Sequence, residues 1–422
     1  MEIQLEKTIE EEKTRTRAIS VLLLAVFIDI LGFGIIIPLL PFWVTSLGAA
    51  ELVFGLILAI YSLFQFIFAP LWGRLSDRIG RRPVVLAGLT GTVIGFSMLL
   101  VASVFINSIE MLVLSRIVGG IFTSATLPTS QAYVSDVSTS EERAKYFGYI
   151  GAAMGLGFAF GPAIGGFLTA IARLLTPSLN GYWAPALFAT GIAMTNAMAG
   201  FRFLPESLTE EKRSERSELK ASEGSASSFE ILRTIGKRPV ILLVFALFAA
   251  LNLSMYIFEA TMPLLGMSRI ELDETQLGIG FMIAGIIMIL TQGSLIGPLS
   301  TRFSDTMLIA AGLFIFMMSF LGLSTIDSFL VLIIWLLPFA FGFSITQPTL
   351  GALLSKNSPN EKLGAIMGMN EGITALMRVF GPLIGALLYT VDMVLPFYIG
   401  AGTLAASIIL ALILQFRVKN TI

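Results

Sequence analysis

The chain has 422 residues, of which 55% are hydrophobic and only 13% are charged, and its mean hydropathy is +0.86. Soluble globular proteins carry about a quarter charged residues, so this composition predicts a protein that crosses a membrane many times. The sequence contains no cysteine, which excludes disulfides and thiol chemistry. It also contains no histidine, so proton transfer would have to use carboxylates.

Twelve apolar segments are each long enough to span a bilayer as a helix, which requires about 20 residues. They predict an all-α membrane protein with two six-helix bundles, at 18–204 and 239–422, after a cytoplasmic tail at 1–17. The polar stretch 205–238 between the bundles is predicted to be a flexible cytoplasmic linker. The predicted spans are 18–44, 52–73, 84–105, 109–135, 142–170, 182–204, 239–265, 275–299, 306–326, 328–354, 361–390 and 394–416.

The basic residues predict the orientation of these spans, because loops rich in Lys and Arg stay in the cytoplasm. With both termini inside, 23 of the 27 Lys and Arg residues fall in cytoplasmic segments. Arg173 and Arg269 lie on the outer side, and Arg116 and Arg378 lie within spans. The sequence therefore predicts a multi-pass protein of the cell membrane. Its expected surroundings are the lipid bilayer, with no nucleic-acid partner, and a monomer is expected.

An internal repeat relates the two halves of the chain. Residues 125–169 align without gaps on 345–389 at an offset of 220, with 15 identities in 45 positions. Both copies contain a Ser-x-x-Glu pattern, beginning at Ser138 and Ser358, which predicts a capping box at the start of the following helix. Parallel six-helix repeats on either side of a central cavity are typical of a transporter that works by rocking.

A glycine pattern marks the fifth predicted span and, in part, its copy in the eleventh. Glycine removes the side chain where another helix comes close, and proline removes a backbone donor and bends the helix. The pattern therefore predicts helices that pack tightly and flex. Its members are Gly148, Gly157, Gly161, Pro162, Gly165 and Gly166, with Gly381 and Pro382 in the copy.

Three further motifs lie in the N-terminal half. The first span contains Asp29-Ile-Leu-Gly32-Phe-Gly34, the loop after the second reads Gly73-Arg-Leu-Ser-Asp77-Arg78-Ile-Gly80-Arg81-Arg82, and the fourth contains Arg116-Ile-Val-Gly119-Gly120. Together with the glycine pattern, these motifs resemble the major facilitator superfamily, in particular its twelve-helix drug/proton antiporters such as the tetracycline exporters. The C-terminal copy of the loop, Gly297-Pro-Leu-Ser-Thr301-Arg302, replaces the aspartate by threonine.

The resemblance implies a gating role for the loop after the second span. A plain topology signal would need only basic residues, whereas this loop also contains an acid and two glycines. In the resembling family the loop joins the two halves while the cavity is open to the outside, together with an acid at the inner end of the fourth span. The implied gating residues are Gly73, Asp77, Arg78, Gly80, Arg81 and Asp136.

Charged residues inside spans are costly and usually face a cavity or a partner, so a functional role is expected for them. Asp29, Glu259 and Glu371 are the candidate proton carriers, and Arg116 and Arg378 are their candidate charge partners. At about 1.5 Å per residue, Glu259 lies level with Arg116, and Asp29 lies level with Glu371. Arg378 is about 10 Å from Glu371 along the helix, too far for a direct pair. Structural ion pairs are the alternative.

Several polar side chains within the spans are candidates for a substrate pocket. Each of them could equally form a hydrogen bond that only packs helices together, and the sequence leaves both readings open. The candidates are Gln65, Asn252, Tyr256, Gln292, Gln347 and Asn370.

These observations predict a secondary active transporter that exports small amphipathic molecules or drugs in exchange for protons by alternating access. One alternative is a uniporter or proton symporter for a sugar or another metabolite. Another, of a different class, is a receptor or scaffold that no longer transports. The sequence has no phosphate loop, metal cluster or nucleophile motif, so neither an enzyme nor a cofactor is expected.

Overall fold

The computed structural model describes residues 2–177, 179–208, 238–359 and 362–419. Within these ranges the chain is helical and contains no β-strand, in agreement with the predicted all-α class. Most of the predicted linker, 205–238, lies outside the described residues.

The first half of the chain forms seven described helices, and α4 continues into a π-helical turn, Ala102–Ile106. They are α1 Glu2–Ile36, α2 Leu40–Ser46, α3 Glu51–Ile79, α4 Arg81–Val101, α5 Ile109–Val137, α6 Ser140–Leu175 and α7 Trp183–Phe203.

The second half also forms seven described helices, and the π-helical turn Thr291–Leu295 joins α9 to α10. They are α8 Pro239–Ile270, α9 Glu274–Leu290, α10 Ile296–Arg302, α11 Asp305–Leu323, α12 Phe329–Asn357, α13 Leu363–Val391 and α14 Leu395–Lys419.

Eleven helices in the described part of the chain are long and apolar enough to cross a membrane. The sixth predicted span, 182–204, corresponds to α7 and is not among them. The 21 residues of α7 would extend about 30 Å, which is long enough to span. Its apolar residues are interrupted by Thr190, Thr195 and Asn196, so its composition and not its length sets it apart.

The first predicted span, 18–44, was expected to be one helix, and the structure corrects this. Helix α1 ends at Ile36, residues 37–39 form a turn, and α2 begins at Leu40. Pro38 lies in this turn. It has no backbone N–H to donate and disfavours the helical conformation of the residue before it, which accounts for the interruption.

The predicted capping box before α6 lies one residue further along than expected. The N-cap is Thr139 and not Ser138. The Thr139 side chain accepts a hydrogen bond from the backbone N–H of Glu142, and the Glu142 side chain accepts one from the backbone N–H of Thr139. Arg15 of α1 donates two hydrogen bonds to the Glu142 carboxylate, at 2.9 and 3.2 Å. In the second copy, Ser358 donates to the Leu354 carbonyl oxygen at the end of α12, and Glu361 lies outside the described residues.

Two compact units make up the chain. The first comprises residues 1–39 and 63–222, and the second comprises 40–62 and 223–422. The segment 40–62, with α2 and the first part of α3, therefore packs with the C-terminal helices, although it precedes the predicted linker. The bundle boundaries at 18–204 and 239–422 stay a prediction.

In the first unit, helix α6 packs directly on the backbone of α1. A Cβ added at Gly157 would lie 2.8 Å from the Leu31 nitrogen, and one added at Gly161 would lie 2.8 Å from the Gly34 Cα. One at Gly165 would lie 2.5 Å from the Ile35 carbonyl oxygen. Any side chain at these three positions would therefore force the two helices apart.

The other members of the pattern behave differently. Helix α6 continues through Pro162. A Cβ added at Gly34 would lie 3.3 Å from the Cδ of this proline. Gly166 is buried. A Cβ at Gly148 would meet no atom of the described residues within 4 Å, so the close packing predicted there is absent from this structure.

In the second unit, α13 packs on α8 through the repeat-related glycines. A Cβ at Gly381 would overlap the Tyr256 side chain, and one at Gly385 would lie 3.2 Å from the Ile257 carbonyl oxygen. Gly55 of α3 approaches the same helix, where its Cβ would lie 2.8 Å from the Pro382 carbonyl oxygen. The repeat thus places glycine at equivalent helix contacts in both units.

We expect Gly161→Leu to destabilise the protein by about 1–3 kcal/mol, because the added side chain would press against the backbone of Gly34 and Leu31. The matched control is Gly151→Leu on the same helix, where an added Cβ meets no described atom within 4 Å. Thermal unfolding in detergent measures both. Equal midpoints for the two variants would contradict the packing role.

Candidate functional site

Arg81, the first residue of α4, stands at the centre of a buried ion-pair cluster. Its Nη1 lies 2.7 Å from Oδ1 of Asp77, and its Nε lies 3.1 Å from Oδ2 of Asp136. Nη1 also donates to the Ser76 hydroxyl at 2.7 Å. The side chains of Arg81 and Asp136 are only 4% and 3% exposed, whereas that of Asp77 is 33% exposed. The cluster is therefore buried at one end and reaches solvent at the other.

The backbone turn between α3 and α4 depends on Gly80. Its φ of 107° and ψ of 164° lie in a region that only glycine adopts without strain. This turn brings Asp77, in the last turn of α3, beside Arg81. Arg78 is exposed, and a Cβ at Gly73 would meet no described atom within 4 Å, so neither is part of the buried cluster.

Glu206 completes the cluster, and the sequence prediction missed it. Its carboxylate accepts hydrogen bonds from the backbone N–H groups of Arg81 and Arg82, at 2.8 and 3.2 Å. It therefore caps the N-terminus of α4, where a negative charge is favourable. The available signal was an acid directly after Pro205 at the end of a span.

The second unit contains a related ion pair with the charges exchanged. Nζ of Lys356 lies 2.6 Å from Oδ2 of Asp305. Lys356 matches Asp136 at the repeat offset of 220, and Asp305 begins α11 as Arg81 begins α4. Both pairs therefore join the start of one helix to the end of the next long helix. The C-terminal pair is far more exposed, since the Lys356 side chain is 64% exposed.

Asp29 lies in α1 among hydroxyl groups of α4 and α5. Its Oδ1 accepts a hydrogen bond from the Thr92 hydroxyl at 3.0 Å. The Thr126 hydroxyl lies beside the carboxylate. Oδ2 is buried and has no hydrogen-bond partner among the described residues. Gly32 lies next to this site, where a side chain would overlap Phe96 of α4.

The charged residues of the second unit form a group between α8 and α13. Arg378 donates from Nε to the Tyr256 hydroxyl at 3.0 Å, and its guanidinium lies 5.5 Å from the Tyr256 ring centre. Arg378 also interacts electrostatically with Glu259 and Glu371. Glu259 is buried, and its Oε1 has no hydrogen-bond partner among the described residues, whereas Glu371 is exposed.

Arg116, the other predicted charge partner, is buried in α5 of the first unit. Three residues further on, Gly119 packs against Gly95 of α4, where a Cβ would lie 3.3 Å from the Gly119 Cα. The fourth-span motif therefore combines a buried cation with a close helix contact.

The predicted pocket residues fall into two groups. Asn252 is buried and donates to the Phe248 carbonyl oxygen of its own helix, at 2.9 Å, and Gln65 donates to the Thr123 hydroxyl at 3.1 Å. These contacts fit helix packing. Gln292 is exposed, Gln347 is half-buried, and Asn370 is buried with its Oδ1 unpartnered among the described residues.

Known proteins resemble the chain over most of its length. The family model described as Major Facilitator Superfamily matches residues 22–382 and 293–421. The chain is 29% identical to Multidrug resistance protein 1 of Bacillus subtilis (strain 168), over 93% of this chain and 95% of that protein. It is 33% identical to the class D Tetracycline resistance protein of Salmonella ordonez, over 87% and 88% of the two chains. The crystal structure of the human organic anion transporter MFSD10 (TETRAN) has 25% identity and a TM-score of 0.65, covering 94% of this chain and 99% of that one.

We expect Arg81→Gln to cost about 3–5 kcal/mol of stability, because it leaves the buried Asp136 carboxylate without its cation. The control is Lys356→Gln, which removes the cation of the exposed C-terminal pair and should cost less than about 1 kcal/mol. Unfolding midpoints in detergent test both. Similar losses in the two variants would show that burial does not distinguish the pairs.

Proposed function

The chain belongs to the major facilitator superfamily, and on this premise we propose that it exports small amphipathic molecules or drugs in exchange for protons by alternating access. Relatives named for multidrug and tetracycline resistance support export as the direction of transport. These relatives are transporters and not enzymes.

The observation that carries the proposal is the carboxylate of Asp29. The chain has no histidine, and Asp29 holds a buried oxygen without a hydrogen-bond partner among the described residues. A carboxyl group in a low-dielectric site can hold a proton until a cation approaches it. We assign proton transfer to Asp29 and Glu259 first, and to the exposed Glu371 third.

In the proposed cycle a carboxyl group takes up a proton from the outer side. The approach of a cationic substrate or of a neighbouring arginine then favours the ionised form, and the proton leaves toward the cytoplasm. Proton and substrate compete for one site, which couples their opposite movements. Arg378 is close enough to Glu259 for its positive charge to favour the ionised form of that carboxyl group.

We propose a monomer with twelve spans in two six-helix bundles around a central cavity, with both termini in the cytoplasm. The number of Lys and Arg residues at the junction of α3 with α4 and in the segment before α8 supports this orientation. The glycine contacts of α6 on α1 and of α13 on α8 would permit the bundles to rock. Gln292, Gln347 and Asn370 remain the proposed substrate contacts.

A metabolite uniporter or symporter is the second candidate, since the fold serves both directions of transport. Proteoliposomes with an imposed pH gradient distinguish the two when tested with tetracycline, lipophilic cations and sugars. Gradient-driven movement of a sugar in the direction of the proton would favour the symporter. Absence of transport for the whole panel would favour a receptor or scaffold.

We expect Asp29→Asn and Glu259→Gln each to abolish export driven by a pH gradient, because the variant side chain cannot carry a proton. Downhill exchange of substrate should survive in part, since the proposed substrate contacts Gln292, Gln347 and Asn370 remain. Flux assays in proteoliposomes with and without a pH gradient measure the two activities separately.

The deciding control is proton release on substrate binding, measured in detergent for the wild type and for both variants. Release that is undiminished in both variants, together with full gradient-driven export, would contradict the assignment and leave Glu371 as the carrier.

We expect Asp77→Asn to slow turnover by about tenfold or more, corresponding to about 1.4 kcal/mol, because it weakens the cluster that we propose to act as the gate. Folding should be nearly normal, since the Asp77 side chain is partly exposed and Asp136 still pairs with Arg81. Asp305→Asn, in the exposed C-terminal pair, is the control. Unchanged turnover of reconstituted Asp77→Asn would leave the loop as a topology signal.

A further inference from the structure

A row of polar side chains follows one side of α5 from Asp29 to the Arg81 cluster. Each member lies three or four residues from another member, which places them all on one face of the helix. All are buried, including Tyr133 at 1% exposure. They are Thr126, Thr129, Ser130, Tyr133 and Asp136.

Three hydroxyl groups of this row have no hydrogen-bond partner among the described residues. They belong to Thr126, Thr129 and Ser130. Buried polar groups are almost always hydrogen-bonded, to protein or to ordered water. The Thr126 hydroxyl lies beside the Asp29 carboxylate, and bound water is the partner available to Thr129 and Ser130.

The internal repeat provides a comparison within the same chain. Thr346 and Thr349 of α12 match Thr126 and Thr129, yet their hydroxyls donate to carbonyl oxygens of their own helix, at 2.7 and 2.6 Å. The next two positions of the row, Ser130 and Tyr133, are replaced by leucine at 350 and 353. The continuous polar row is thus specific to the unit that contains Asp29.

The spacing of the row fits single water molecules. Apart from the adjacent Thr129 and Ser130, neighbouring members are separated by about 4.5 Å along the helix axis. Two hydrogen bonds through one water oxygen span about 5.6 Å. One water per gap would therefore connect the Asp29 carboxylate to the Tyr133 hydroxyl.

The two ends of the row suit proton transfer. At one end the Thr126 hydroxyl lies beside the carboxylate of Asp29. At the other, Tyr133 donates to the Pro205 carbonyl oxygen at 3.1 Å, beside Asp136 and Glu206. Around Tyr133, side chains such as Leu22, Val26 and Leu89 form an apolar wall that separates the row from bulk solvent.

We propose that this row is a proton path through the interior of the first unit, formed by its hydroxyl groups and by water bound between them. The proposal rests on the assignment of Asp29 as a proton carrier and extends it to the route by which the proton leaves. One O–H bond breaks at Asp29 and one forms on the adjacent water, and each water or hydroxyl then accepts one proton and passes one on. The Tyr133 hydroxyl turns from the Pro205 carbonyl to pass its proton to the neighbouring Asp136 carboxylate as it accepts one from the row, and one proton then leaves Asp136 for solvent at the partly exposed end of the cluster. No other bond changes.

The test follows the carboxyl band of Asp29 by time-resolved infrared spectroscopy after a pH jump, and Asp29→Asn identifies the band. The test variant is the double substitution Thr129→Val with Ser130→Ala, which removes two hydroxyls without touching Asp29. We expect the rate of protonation to fall by about tenfold or more, while the midpoint pH of the band stays unchanged. The matched control in α12 is Thr349→Val with Ser344→Ala, whose hydroxyls bond their own helix. It should leave the rate unchanged.

Hydroxyl-radical footprinting of the wild-type protein tests for the bound water without any substitution. Radicals formed from bound water should label Tyr133 despite its burial. The proposal is overturned if the test and control variants have equal rates, or if Tyr133 is not labelled. An infrared spectrum with no titrating Asp29 band would instead refute the underlying assignment of Asp29.

Discussion

The close contact between α6 and α1 is the constraint on which the first unit depends. Lipid supplies no hydrophobic force to join helices, so membrane helices associate through tight packing. Gly157, Gly161 and Gly165 permit that packing along one side of α1, from Phe27 to Ile35. Asp29 lies within this stretch and faces α4 and α5. The glycines thereby fix the position of the carboxylate relative to its hydroxyl neighbours.

Ion pairs stabilise the part of the first unit where α4 begins beside the end of α5. A cation at the first position of a helix is unfavourable, because the helix N-terminus is itself positive. Arg81 occupies this position, and three acids compensate for it. Two of them pair with the guanidinium, and Glu206 binds the backbone N–H groups. Loss of Asp136 would therefore be the most costly change, because it is the buried partner of the guanidinium, whereas Asp77 is partly exposed.

The sequence predicted the features that depend on local chemistry. Hydropathy located eleven helices that are long and apolar enough to span, and the glycines of the repeat identified helices that pack closely. The family resemblance also implied the grouping of Asp77, Arg81 and Asp136, but other contacts between residues far apart in the chain were missed. Glu206 is 125 residues from Arg81 in the chain, and the contact exists only after folding. The orientation of the Thr126 and Thr129 hydroxyls could not be predicted either, because the identical residues of the copy adopt another arrangement.

The exchange of charges between Arg81–Asp136 and Asp305–Lys356 has a consequence for the response to salt. Asp305 lies in the first turn of α11, where the helix dipole favours an acid. The start of this helix therefore needs no additional acid to balance a cation. Dissolved ions screen exposed charges within about 8 Å at physiological ionic strength, but they reach buried pairs poorly. Rising ionic strength therefore weakens the C-terminal pair and leaves the buried pair of Arg81 with Asp136 intact. The two halves of the repeat share a geometry and differ in their sensitivity to the ionic strength of the surrounding solution.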